Sequence, residues 1–260
     1  MNAFFEAVRF LTLIPVPFLP PMRMDNYERS IARAMAWFPV VGLLIGAIGA
    51  GAGWLGDYGW GPLVRSAFIV IAWGIVTSGL HLDGLSDTFD AVMSWRPRER
   101  KLEIMKDSRI GAMGAIALVA VLLLKVALLH SADAAAWLPA ALLAPVLGRW
   151  ADLYGVFFFP AAVEGGLGRH FKDHIRRRDF IFATVQMIVI VAGVCAWSGG
   201  VDGMLRGLVA FALVFAAAHL LFARWTRSLG GLTGDTYGAV CEIGEVVALA
   251  ALCIHSTYGR

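Results

Sequence analysis

Charge is scarce in this chain: Asp, Glu, Lys and Arg make up 16% of its 260 residues, where a soluble domain carries about 25%. Cysteine is scarcer still. Cys195, Cys241 and Cys253 sit in apolar segments with no CxxC or Cys/His spacing, which leaves a disulfide framework or a zinc site without support. No soluble linker or internal repeat divides the sequence, so residues 1–260 read as one domain. The excess of 22 basic over 19 acidic residues does not point to nucleic acid, because basic loops are what a membrane protein uses to fix its orientation. The opening "MNAFFEAVRFLTLIPVPFLP" lacks the basic leader of a signal peptide, and "PVP" interrupts its apolar run. Phe4, Phe5, Val8 and Leu11 fall there at helical spacing, which predicts a short interfacial helix ended by Pro15.

Apolar length is what the sequence has in abundance. Hydrophobic residues make up 59% of the chain and the mean hydropathy is +0.71. About seven stretches approach the ~20 residues a bilayer requires, near residues 34–56, 62–80, 110–131, 137–160, 180–198, 204–223 and 238–256. The expectation is an all-α integral membrane protein, a polytopic bundle of about seven transmembrane helices with an N-terminal interfacial helix. Gly42, Gly46 and Gly49 suit close helix packing in the first span. Basic residues collect in the N-terminal segment (Arg9, Arg23, Arg29, Arg33), in 94–109, in 161–179 and at Arg224 and Arg227, while 57–61, 132–136 and 199–203 carry none. That alternation predicts a bacterial inner-membrane protein with its N-terminus and any site on the cytoplasmic side.

The chemistry-bearing residues lie in the segments this topology groups together. In "HLDGLSDTFD", Asp83, Asp87 and Asp90 stand at i, i+4, i+7, so on a helix they line one face. Like charges at that spacing repel, near lipid the conflict sharpens, and a divalent cation removes it. Carboxylate oxygens suit Mg²⁺ or Mn²⁺, and Mg²⁺ commonly joins a few carboxylates to substrate phosphates. His81 could ligate metal, bond phosphate or act as an acid or base. In "KDSRIGAMG", Lys106 and Arg109 flank Asp107 just before a helix start, a natural anion site. Asp107 could be a metal ligand or a general base, and Asp107 or Ser108 could also simply cap the next helix. In "GGLTGDTYGAVCEIGE", Asp235, Glu242 and Glu245 recur on one helical face. Asp235 and Glu242 read as site residues, against the plainer reading of a cap and an ion pair. Arg149 and Asp152 could neutralise one another, pair with Glu242 or reach a substrate, and Lys125 could pair or reach the interface. Two acidic constellations with flanking cations suit metal-assisted phosphoryl transfer.

These three motifs, with "FLTLIPVP" and "FPVVGLLIG" near the start, resemble those of the cobalamin synthase family, the adenosylcobinamide-GDP ribazoletransferases, in the same order over nearly the whole chain. The resemblance implies the last assembly step of the coenzyme B12 nucleotide loop. Adenosylcobinamide-GDP and α-ribazole, or its 5′-phosphate, would give adenosylcobalamin, or its 5′-phosphate, and GMP, with Mg²⁺ as cofactor. On that footing Asp83, Asp87, Asp90, Asp235 and Glu242 would hold metal. Lys106, Arg109 and Arg149 would contact phosphate, with Asp107, Asp90 and His81 as catalytic groups. The partners implied are the two substrates and the lipid bilayer, with no nucleic acid and with room for a homo-oligomer or association with other nucleotide-loop enzymes. Two rival readings are a CDP-alcohol phosphotransferase-like lipid enzyme and a divalent-cation transporter, which would spread its acids through both leaflets.

Overall fold

Apolar runs of span length can satisfy their backbone in lipid only as helices, and the computed structural model is helical almost throughout the residues it describes, 2–18 and 33–254. Arg23 and Arg29, and residues 255 and 256 of the last expected span, lie outside the described residues. Helix α1, Asn2–Leu11, stops short of Pro15 and buries Ala7, Val8 and Leu11. Phe4 and Phe5 meet Trp37 and Phe18 edge-on, so the expected surface helix lays its apolar face on the protein. A single 3₁₀ turn, Met35–Trp37, leads into α2, Phe38–Trp60. There follow α3, Pro62–Val76; α4, Leu80–Val92; α5, Arg98–Ile104; α6, Ala112–Ser131; α7, Trp137–Phe158; α8, Leu167–His174; α9, Arg177–Leu229; and α10, Gly234–Leu252.

Four of these stretches are long and apolar enough to cross a membrane: Met35–Trp60, α6, α7 and α9. A fifth arises if α3 and α4, bent by 89° at a short break, count as one broken span. The protein is thus an all-α polytopic membrane protein with four such stretches among the described residues, or five with the bent pair, against the seven expected. One reason lies in α9, which is 53 residues long but leaves helical geometry at Gly200 (φ 55°). A Cβ at Gly207 would lie 2.6 Å from the sulfur of Cys195, and one at Gly203 would overlap the carbonyl of Cys195. Residues eight apart on a straight helix are about 12 Å apart, so α9 folds back on itself at Gly200.

Small residues let the core helices touch. A Cβ at Gly42 would lie 2.6 Å from the carbonyl oxygen of Pro145, and one at Gly46 would lie 2.8 Å from that of Ala141. Pro145, inside α7, cannot donate to the carbonyl of Ala141, and that carbonyl faces Gly46. Polar connections gather at one end of the bundle. Arg98 donates to the carbonyls of Leu229 (2.7 Å) and Ala162 (2.8 Å), and Lys101 donates to Ser228 Oγ (2.8 Å). Leu232 N–H donates to the Pro160 carbonyl at 2.8 Å, closing the α7–α8 and α9–α10 connections onto each other.

Gly46→Ala should lower stability by about 1–3 kcal/mol through overlap with the α7 backbone. Gly51→Ala, where a Cβ meets nothing within 4 Å, should be neutral or stabilising by up to about 1 kcal/mol. Thermal unfolding in detergent compares the two; equal losses would disprove the close approach at Gly46.

Candidate active site

The site begins at the elbow between α3 and α4. Ser78 (φ 53°) and Gly79 (φ 67°) are consecutive left-handed residues, a conformation that is uncommon for serine, and together they turn the chain into α4. The turned helix crosses α10 at two glycines. A Cβ at Gly84 would lie 2.8 Å from the carbonyl oxygen of Asp235, and one at Gly238 would lie 3.2 Å from Cα of His81. This crossing brings together two of the acidic motifs. Asp87 is half-buried in the field of Asp83, Asp90 and Asp235, and Asp83 acts on Asp235 in turn.

The carboxylates then divide into three kinds. Asp83 and Asp87 have no cationic partner among the described residues, and Asp235 accepts from its own backbone N–H and, at 3.4 Å, from Thr233 Oγ1, with no cation. Capping does not explain Asp235, because Thr233 caps α10 and its hydroxyl accepts from Thr236 N–H at 3.3 Å. Asp90 is of the second kind. Its two oxygens accept from Gly111 N–H (2.7 Å) and Gly114 N–H (2.9 Å), so it holds the N-terminus of α6. The cap expected from Asp107 or Ser108 is supplied across the fold by Asp90 instead. Asp107 pairs bidentately with Arg109, at 2.5 and 2.9 Å, on the exposed connection before α6. The guanidinium holds the Asp107 carboxyl down at about 2. It therefore stays ionised across the neutral range and is a weak base, better suited to ligation than to proton removal.

Glu242 is of the third kind. It does not join the aspartates; it accepts from Lys125 Nζ at 2.6 Å deeper in the bundle. Lys125 also pairs with Glu245, and Glu245 pairs with Arg149. Arg149 is 1% exposed and spends its second nitrogen on His81 Nδ1 at 3.3 Å, so the expected phosphate contact is replaced by a buried ion network. Asp152 makes no direct pair with Arg149; it faces His81 Nε2 at 3.4 Å, and Arg149 acts on it from the other side of that ring. Cys241 Sγ joins them, with ligand atoms of His81, Asp152 and Cys241 within 4.8 Å of one another. The sequence signals no such grouping, because the three residues come from three helices. The guanidinium beside His81 makes this cluster a poor cation site.

Lys106 lies on the rim of a cavity of about 350 Å³ that also takes in Arg169, Glu164 and Asp235. Arg169 and Glu164 are absent from the sequence expectation: Arg169 lies in the basic segment 161–179, which orientation alone explains, and Glu164 belongs to none of the motifs. A smaller cavity of about 120 Å³ shares Gly234 and Asp235 with the first and reaches His81, Asp83 and Asp152. An open groove of about 670 Å³ shares Asp83 with the second and runs past Leu13, Ile110 and Leu122. Three spaces thus meet along the line Asp235–Asp83. The unpaired, partly exposed Asp83, Asp87 and Asp235 supply hard oxygen donors and no competing cation, and so fit a divalent ion such as Mg²⁺.

Asp90→Ala should uncap α6 and cost about 2 kcal/mol. Lys125→Met should cost about 3–5 kcal/mol by leaving buried carboxylates unanswered. Unfolding midpoints in detergent check both; an unchanged midpoint for Lys125→Met would refute the network.

Comparison with known proteins adds to this geometry. The Cobalamin-5-phosphate synthase family model matches residues 3–253. An "Adenosylcobinamide-GDP ribazoletransferase" of Roseiflexus sp. (strain RS-1) is 57% identical over 249 residues, covering 96% of this chain and 88% of the relative. Proteins of the same description from Herpetosiphon aurantiacus and Desulforamulus reducens are 50% and 41% identical, covering 95% and 92% of the chain and 94% and 91% of those relatives. No solved structure matches the chain.

Proposed function

Given that the chain belongs to the Cobalamin-5-phosphate synthase family, we propose that it transfers the phospho-cobinamide group of adenosylcobinamide-GDP to α-ribazole or its 5′-phosphate. The transfer completes assembly of the coenzyme B12 nucleotide loop and releases GMP. The observation that carries the reading at the level of residues is the α4–α10 crossing, where Asp83, Asp87 and Asp235 stand without cationic partners between three cavities. The guanosine end of the donor occupies the cavity of Lys106 and Arg169, where Lys106 answers its phosphates and Arg169 is shared with Asp173 at 2.8 Å. The corrinoid end lies in the open groove beyond Asp83. The pyrophosphate then spans the aspartates.

A hydroxyl oxygen of ribazole forms a bond to the cobinamide-side phosphorus. The bond from that phosphorus to the bridging oxygen breaks, GMP leaves with the electron pair, and the hydroxyl proton passes to solvent. Bound Mg²⁺ would neutralise the pyrophosphate and polarise the attacked phosphorus; Asp83, Asp87 and Asp235 are the residues that would hold it, with Asp107 close in sequence to the phosphate-facing Lys106. Asp90 keeps the α6 N-terminus in place beside them. Glu242 and Arg149 act from within the bundle by fixing α10 and His81.

The same reading extends to topology. Counting the two arms of α9 separately, and adding α3 and the 19-residue α10, gives seven crossings. The basic loops flanking the site then favour a cytoplasmic face of a bacterial inner membrane.

GMP release from adenosylcobinamide-GDP and α-ribazole should require Mg²⁺. Asp83→Asn and Asp87→Asn should each lower it roughly a hundredfold or more with the unfolding midpoint unchanged. Full turnover in both variants would sink the metal assignment, and no GMP release from the wild-type protein would sink the reaction.

A further inference from the structure

The 120 Å³ cavity has two unlike walls. On one side Phe10 stacks near-parallel to Phe38 at 6.0 Å and meets Phe171 edge-on at 5.8 Å. On the other are His81, Asp152 and Tyr237. Two polar atoms in that second wall, Asp152 Oδ1 and Tyr237 Oη, are buried with no hydrogen-bond partner among the described residues. Their residues are 3% and 4% exposed. Burying such groups unanswered costs about 1–3 kcal/mol each, so a pair of them at one cavity calls for a ligand that supplies hydrogen bonds. The rest of the Asp152 carboxylate is held by His81, which fixes the direction in which Oδ1 points. Room on the order of ten waters is the scale of a sugar together with its base. The cavity borders Asp235 on one side and Asp83 on the other, between the two spaces given above to the ends of the donor.

We propose that this cavity is the acceptor subsite: it takes the ribose of a nucleoside with an apolar aromatic base, Asp152 and Tyr237 bonding sugar hydroxyls while the base lies against Phe10, Phe38 and Phe171. The proposal rests on the transfer reading above and adds to it the residues that choose the acceptor. An amphipathic nucleoside matches both walls at once, whereas a phosphate in this cavity would meet the Asp152 carboxylate. The 5′-phosphate of a phosphorylated acceptor therefore points out of the cavity, toward the neighbouring space that holds Lys106.

The test is steady-state kinetics on the full-length protein in detergent with Mg²⁺, varying each substrate in turn. Tyr237→Phe removes one oxygen and no packing volume. It should raise KM for α-ribazole roughly tenfold and leave KM for adenosylcobinamide-GDP unchanged. Asp152→Asn should do the same, and calorimetric binding of α-ribazole without donor should weaken in parallel. If Asp152→Asn does not fold, Tyr237→Phe and the calorimetry still decide. Running both arms with α-ribazole 5′-phosphate should give the same split. A rise in KM for the donor, a fall in kcat alone, or unchanged constants in Tyr237→Phe would each overturn the subsite. These failures differ from failure of the transfer reading, in which the wild-type protein releases no GMP at all.

Discussion

A guanidinium in the middle of an apolar bundle has to be answered by negative charge, and the arrangement of this protein follows from how Arg149 is answered. Glu245 on α10 pairs with it, Lys125 on α6 pairs with Glu245, and Glu242 pairs with Lys125. Two cations and two anions, each at most 5% exposed, cancel one another. Such a set adds little net stability compared with apolar packing, but removing one member leaves a bare charge in a low-dielectric interior. Its effect is geometric: it ties α6, α7 and α10 to one another.

His81 carries that constraint to the surface. It touches Arg149 through one ring nitrogen and Asp152 through the other, so the first turn of α4 is registered against α7. The glycines at 84 and 238 then let α4 lie directly on α10. The paired carboxylates sit inside and the unpaired ones at the rim. With Lys125 and Arg149 already committed, the crowded charge of Asp83, Asp87 and Asp235 is left to be balanced by ions and substrate from solution.

How much of this the sequence discloses depends on distance along the chain. The i, i+4, i+7 register of Asp83, Asp87 and Asp90 is a local property of a helix, and α4 is helical across all three. That Asp90 is spent on the amides of Gly111 and Gly114 is not local, and it separates one member of the trio from the other two. Glu242 follows Asp235 at helical spacing, yet the side chain that claims it is 117 residues away. Spacing alone also made Arg149 and Asp152 plausible partners, whereas both turn to His81 on α4 and Arg149 pairs with Glu245 on α10. The family motifs were legible because their glycines and acids are contiguous in the chain. The cavity walls, drawn from α1, α2, α4, α7, α8 and α10, were not. The all-α class needed only the apolar runs, while the Gly200 reversal is set by a single positive φ.

The span of the Lys125 ion pairs also bears on how the molecule is made. α6 leaves the ribosome carrying an ammonium group whose two carboxylate partners are encoded 117 and 120 residues later. Translation at about 5–20 residues per second leaves seconds between them. During that interval Lys125 has neither of its final partners, and a lone cation in hydrocarbon is strongly disfavoured. Completion of the bundle therefore waits on α10, the last helix of the described chain. Its arrival neutralises the interior and, in the same step, delivers Asp235 to the aspartates of α4. The ion network and the site therefore depend on the same last helix.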